Sequence, residues 1–164
     1  MSKVLYPGSF DPITKGHMNI IEQASNLFDE VVIAVLKNPS KKNYLFTFEE
    51  RVEIIKELYR KVNNIKVVTG NTATIDLALL HECKAIIRGL RSISDFDYEI
   101  GLSQINRELT NNEINTICLF ADKNYQFVSS SMVKEVFSLN KDISTYVHPL
   151  VEEKMLIKRR ILTK

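Results

Sequence analysis

Hydrophobic and polar positions along the chain change period repeatedly, from continuous apolar runs to helical stripes and back. Lys3–Tyr6 (KVLY) is a short apolar run stopped by Pro7-Gly8 and reads as a first strand. Glu30–Leu36 (EVVIAVL) is continuous and β-branched, as in a strand buried on both faces of a parallel sheet. Ile65–Thr69 (IKVVT), Ala85–Ile87 and Thr116–Ala121 (TICLFA) supply three more strands, and Arg88-Gly89 ends the second of these. Between the runs, apolar residues fall on one side of a helix. Ile20, Ile21, Ala24, Leu27 and Phe28 do so within 17–28, and Val52, Ile55, Leu58, Tyr59 and Val62 do so after Thr47-Phe-Glu-Glu50. That tetrapeptide is a capping box: Thr47 accepts from the first free N–H groups and Glu50 reaches back. Thr74 or Asp76 opens a short helix through Leu80, and another helix runs from about Phe96 to Leu109. Ser129–Ser131 open a further one, and Pro149 suits the first turn of a last one, within a C-terminal helical segment at about 141–164.

Strands therefore alternate with helices along the whole chain. This predicts an α/β fold: a Rossmann-like, open five-stranded parallel sheet with helices on both faces, in a single domain over 1–164. In such sheets ligands bind beyond the carboxyl ends of the strands, near the point where strand order reverses. The loops at 7–17, 37–44, 88–99 and 122–131 are then the place to look for chemistry.

Composition narrows the choice. A chain of 164 residues with 45% hydrophobic and 26% charged residues can build one ordinary core. A net charge of +2 gives no broad basic surface for nucleic acid. Cys83 and Cys118 are the two cysteines, in no CxxC or Cys/His cluster, which fits buried free thiols rather than a zinc or disulfide framework. No run approaches the roughly 20 apolar residues of a membrane span. MSKVLYPGSF lacks the apolar region and cleavage site of a signal peptide. The expectation is a cytoplasmic protein with no membrane or nucleic-acid partner.

The four loops carry polar side chains suited to phosphate. Thr14-Lys15-Gly16-His17 lies at a helix start, where free N–H groups and the dipole attract anions. Gly16 leaves room for a phosphate, and His17 can donate to it. The plainer reading is turn geometry at Gly16 and an exposed first-turn histidine. The spacing matches neither GxGxxG nor GxxxxGK[ST]. Asn38-Pro-Ser-Lys-Lys42 offers two lysines, ordinarily a solvated surface. In IIRGLRSISDFDYE, Arg88 and Arg91 flank a Gly-Leu step and can clamp phosphates bidentately, or pair with Asp95, Asp97 or Glu99. Those carboxylates are not expected to cage Mg²⁺ directly, because Mg²⁺ keeps its waters and leans on substrate phosphates. Val128-Ser129-Ser130-Ser131 forms a second helix start, with more hydroxyls than a cap requires. Together these features suit a polyphosphate, and no Ser-His-Asp order, cysteine nucleophile or paired carboxylates compete with them.

GSFDPITKGH, PSKK, IRGLR, DFDYE and VSSSMVKE follow one another in the order and spacing of the bacterial phosphopantetheine adenylyltransferases, and the chain resembles that family over essentially its whole length. TxGH alone marks the wider nucleotidylyltransferase superfamily, whose members act on nicotinate mononucleotide and glycerol 3-phosphate among others. Two segments depart from the family: Ser9 stands where threonine is common, which keeps the hydroxyl, and Asn71–Ile75 replaces a Gly-Leu-rich stretch.

The resemblance implies transfer of AMP from ATP to 4′-phosphopantetheine, giving dephospho-coenzyme A and pyrophosphate. It also implies Mg²⁺, a homohexamer, and the product and coenzyme A as further ligands. By position, Ser9, Phe10, His17, Gly89, Leu90, Arg91, Glu99 and Tyr125, Gln126, Phe127, Val128, Ser129, Ser130, Ser131 match the ATP-binding residues. Ser9, Lys41, Thr74 and Arg88 match those that meet phosphopantetheine, and His17, Lys41 and Arg88 form the catalytic set. The rival readings are a nucleotidylyltransferase with another acceptor, and a non-catalytic nucleotide sensor.

Overall fold

The computed structural model describes residues 2–37, 43–91 and 93–162. The chain alternates β1 (Lys3–Gly8), α1 (Lys15–Leu27), β2 (Glu30–Leu36), α2 (Phe48–Tyr59), β3 (Ile65–Gly70), α3 (Thr74–Leu80), β4 (Ala85–Leu90), α4 (Ile93–Leu109) and β5 (Asn115–Phe120), then ends in α5 (Ser130–Ser138) and α6 (Pro149–Leu162). The five strands form one parallel sheet in the order β3-β2-β1-β4-β5, as the alternation predicts. Order reverses between β1 and β4, which fixes the place where a ligand crevice must open.

Strand periodicity divides the core. Val4 and Tyr6 of β1, Val31, Ile33 and Val35 of β2, and Ala85 and Ile87 of β4 face one side, with α1, α2, α5 and α6. Leu5, Val32, Ala34 and Ile86 face the other, against Leu77 and Ala78 of α3. β2 is thus buried on both faces, which is why its sequence shows no polar alternation. The second layer is thinner, and α4 leaves Phe96, Tyr98, Ile100, Ile105 and Leu109 exposed.

Several boundaries differ from the sequence reading. β1 does not stop at Tyr6: Pro7 and Gly8 stay paired with Ala34 and Val35 of β2. β4 has already parted from β1 after Leu5, and a residue without N–H is tolerated where one ladder has ended. β4 likewise runs on through Arg88, Gly89 and Leu90, which pair with Cys118, Leu119 and Phe120. α4 starts at Ile93 rather than Phe96. The segment 141–148 is not helical. Asp142 accepts bonds from the N–H and hydroxyl of Ser144, and this local turn displaces the helix until Pro149. Leu27 is 64% exposed, and Val62 lies beyond the end of α2, so neither joins the core.

The capping box of α2 is present in both halves: Glu50 N–H donates to Thr47 Oγ1 and Thr47 N–H to Glu50 Oε2. Glu50 also takes both of its oxygens to Lys158 Nζ of α6 at 2.8 Å, so one cap ties two helices together. Thr47→Ala should cost about 1 kcal/mol, read as a lower urea midpoint at unchanged slope. An unchanged midpoint would mean that packing alone holds this terminus.

Candidate active site

β1 and β4 pair only at Val4 with Ala85 and Leu5 with Ile86. Beyond that each follows its outer neighbour, and a cavity of about 330 Å³ opens between their carboxyl ends. His17, Arg88, Gly89, Arg91, Glu99, Phe10, Gly16 and Val128, all singled out in the sequence, line it. Tyr6, Asp95 and Tyr98 also line it. Tyr6 carried no motif signal. Burial pushes its hydroxyl pKa far up, against the opposing pull of Arg88 and Arg91, so the phenol stays neutral.

His17 is held by the helix it opens. Thr14 caps α1: its Oγ1 accepts from His17 N–H, and Thr14 N–H donates to His17 Nδ1 at 3.1 Å. This is a capping box with histidine in the glutamate position. A backbone N–H can only donate, so Nδ1 is the acceptor and the neutral ring carries its proton on Nε2. The ring also packs edge-on against Phe10, with centroids 5.3 Å apart. Phe10 sits at φ 48°, a left-handed conformation that its own burial and its contacts with Tyr6 and His17 support. The TxGH spacing is therefore a helix-capping spacing as well as a motif. The S/T-x-x-E/Q rule does not cover histidine, so the sequence did not reveal it.

Gly16 has a second duty beside clearing space. A Cβ there would lie 3.3 Å from Val128 O and 3.6 Å from Tyr125 O, so α1 abuts the loop before α5 at this residue. Two of the three serines after that loop are already engaged. Ser129 caps α5 by accepting from Met132 N–H, and Ser130 Oγ donates to Pro12 O at 2.8 Å. The excess of hydroxyls over one cap is explained for Ser130 by this link; Ser131 remains exposed. The two helix N-termini thus stand together. Asn19 of α1 secures the loop further, donating to Asp122 Oδ2 and accepting from Asp122 N–H. Lys15, whose role the motif left open, donates to Ser144 O.

Arg88 and Arg91 are paired and face the same cavity. Arg88 Nε and Nη2 both donate to Glu99 Oε1, at 2.8 and 2.6 Å, which fixes the guanidinium plane. Among the described residues the other Glu99 oxygen is buried with no hydrogen-bond partner. Arg91 sits 3.4 Å from Asp95 Oδ2, which also accepts from Arg91 N–H. Phosphate clamp and ion pair, posed as alternatives in the sequence, are compatible.

Ser9, Leu90, Thr74, Tyr125, Gln126 and Phe127 do not line this cavity. Thr74 lines an adjoining cleft of about 250 Å³, with Leu102, Ile105, Asn106 and Leu109. Arg88 and Glu99 wall both spaces. Lys41 lies outside the described residues. Among those residues no group of three or more His, Cys, Asp or Glu side chains could hold a metal ion. An all-protein Mg²⁺ site does not fit the described residues.

The sequence signals passed over two buried charges beside this site. Asp11, fully buried, accepts from the N–H groups of Leu45 and Phe46 and pairs with Lys134 of α5. Arg51, 2% exposed, donates to Ser9 O and Leu36 O and stacks on Tyr44 at 4.3 Å. Only the placement of Asp11 within GSFDP hinted at either.

Residues 5–136 match the cytidylyltransferase-like family model. A phosphopantetheine adenylyltransferase of Finegoldia magna is 47% identical over 163 residues, covering 99% of this chain and 98% of that protein. One from Thermobifida fusca is 42% identical over 164 residues, covering 100% and 98%. A Plasmodium falciparum nicotinic acid mononucleotide adenylyltransferase complexed with NaAD superimposes with a TM-score of 0.69 at 22% identity, covering 97% and 96%, and this shows the shared fold. With the crevice at the strand reversal, the paired helix N-termini and identity across the full length, the chain belongs to the phosphopantetheine adenylyltransferase family of the cytidylyltransferase-like nucleotidyltransferases.

Proposed function

We propose that this chain transfers AMP from ATP to 4′-phosphopantetheine, giving dephospho-coenzyme A and pyrophosphate, by direct in-line attack without a covalent enzyme intermediate. One observation carries the reading: His17, Arg88 and Arg91 share one crevice with the start of α1 and with Val128, just ahead of α5. The acceptor phosphate has a second pKa of about 6, so near neutral pH it is already a nucleophile. It needs no general base, and the site's task is alignment and charge stabilisation.

His17 Nε2–H donates to the α-phosphate as charge builds in the transition state. Arg88, oriented by Glu99, holds the acceptor phosphate together with Lys41 and the hydroxyl of Ser9. Arg91 and the start of α5 bind the β and γ phosphates, and Gly89, Leu90 and 125–131 surround the adenosine. Mg²⁺, if bound with the nucleotide, would supply charge neutralisation for the leaving pyrophosphate, while Arg91 and the start of α5 hold the phosphates. The adjoining cleft fits the pantetheine arm, a chain of amides and methylenes. Its walls are mainly apolar, with Thr74, Asn106 and Thr116 as polar contacts, and it meets the first cavity at Arg88 and Glu99.

The proposal includes a homohexamer. A helix with apolar residues on its exposed side needs a further covering, and α4 presents Phe96 and Ile100 outside both cavities. It also includes a cytoplasmic location, which suits two unbridged cysteines. No helix among the described residues is long and apolar enough to cross a membrane. Sedimentation as a monomer at micromolar concentration would remove the hexamer.

Pyrophosphate release from ATP should require 4′-phosphopantetheine and not proceed with nicotinate mononucleotide or glycerol 3-phosphate. Release with one of those alone would reassign the acceptor, and none with any would favour a sensor. His17→Ala should lower kcat roughly 10²–10³-fold, as for a lost transition-state donor, with a smaller change in ATP binding by calorimetry. Lys41→Ala should raise the phosphopantetheine KM and lower kcat, and an unchanged response to that substrate would remove it from the acceptor site.

A further inference from the structure

GSFDP and SSSMVKE each contain a charged residue without a role in the chemistry above, Asp11 and Lys134. They meet each other at 2.9 Å. Asp11 Oδ1 accepts from Phe46 N–H and Oδ2 from Leu45 N–H, both at 2.9 Å. Lys134 also donates to Asn43 O. One carboxylate therefore joins three segments: the loop after β1, the chain entering α2, and α5. We propose that Asp11 and Lys134 are a positioning pair for adenylyl transfer, which sets Phe10 and His17 in register with the start of α5. This rests on the adenylyl-transfer reading.

The geometry favours positioning over stability. Asp11 follows Phe10 directly, and Phe10 holds a left-handed φ with its ring edge against His17. Pro12, the next residue, accepts from Ser130 in the first turn of α5. A shift at Asp11 moves both ends of the phosphate site. Replacing a buried ion pair with apolar residues is often neutral or stabilising, whereas removing one partner strands a buried charge. Stability alone gives little reason for a carboxylate 0% exposed, set next to a cavity built for anions. What a carboxylate with two fixed N–H donors and an ammonium does supply is a single geometry.

The experiment compares Asp11→Asn, Lys134→Met and the double variant with wild type. The readouts are thermal midpoint, kcat and both KM values, and the ¹⁵N shifts of the His17 ring. Each single variant should lose stability, and the double, with no stranded charge but one backbone N–H now facing an amide NH2, should regain part of it. Turnover should not return with it: kcat of the folded double variant should stay about tenfold to a hundredfold down. The His17 shifts should change, because they report the Thr14 N–H···Nδ1 bond directly and need no turnover. A double variant that recovers kcat along with its midpoint overturns the proposal, as does one with unchanged His17 shifts. Failure of all three variants to fold would make the pair a folding element and overturn it equally. Wild type inactive on phosphopantetheine would sink the adenylyl-transfer reading, leaving the His17 shifts to decide the register between segments.

Discussion

The parting of β1 and β4 after two paired residues is the constraint on which the site depends. A parallel sheet that winds outward from its centre in both directions must have neighbouring strands whose following helices lie on opposite faces. Nothing then covers the gap at their carboxyl ends. The strands keep their outer ladders, β1 with β2 to Gly8 and β4 with β5 to Leu90, so the crevice forms without breaking the sheet. Backbone groups facing across it have no ladder partner in each other. The start of α1 above the crevice supplies free N–H groups that favour an anion before any charged side chain is placed.

The side chains then set orientation more than net attraction. Each cavity-lining arginine has a carboxylate beside it, so the pair of ion pairs adds little net charge. An exposed pair such as Arg91–Asp95 is worth at most about 1 kcal/mol. Arg88–Glu99 is more buried and engages two guanidinium donors on one oxygen. Its effect is to fix a plane. In the proposed function a substrate phosphate arriving at Arg88 would meet donors that need not reorganise, and in a partly dry site that is where electrostatic stabilisation is gained.

The sheet was legible because its inner strands are buried on both faces, and EVVIAVL admits no other easy reading. The α2 cap was legible because a capping box is local. The ends of β1 and β4 were not, because whether Pro7 or Arg88 lies in a strand depends on which neighbour is still alongside. The irregular 141–148 depends on Asp142 turning back on Ser144 rather than on any apolar period. In the site, His17, Arg88, Arg91 and Glu99 line one cavity, Ser9, Thr74 and 125–127 do not, and Asp11 and Arg51 carry no spacing signal. Their partners are mostly backbone atoms distant in sequence, and no spacing rule encodes those.

His17 shows why the best-known part of the motif is the weakest evidence for catalysis. Thr14 and His17 complete a helix cap, and Gly16 lets α1 reach the Val128 loop. Every marked position of TxGH thus has a folding reason, and a protein on this fold that binds nucleotide without chemistry could keep all three. Arg88 differs. Folding does not need a guanidinium on β4 paired with a carboxylate on α4, since apolar residues of similar volume are often neutral or stabilising. Among the described residues one Glu99 oxygen is buried with no hydrogen-bond partner, a penalty of order 1–3 kcal/mol. A charged pair kept at that cost between two cavities suits the proposed ligand, which would span them with its phosphate at the shared wall.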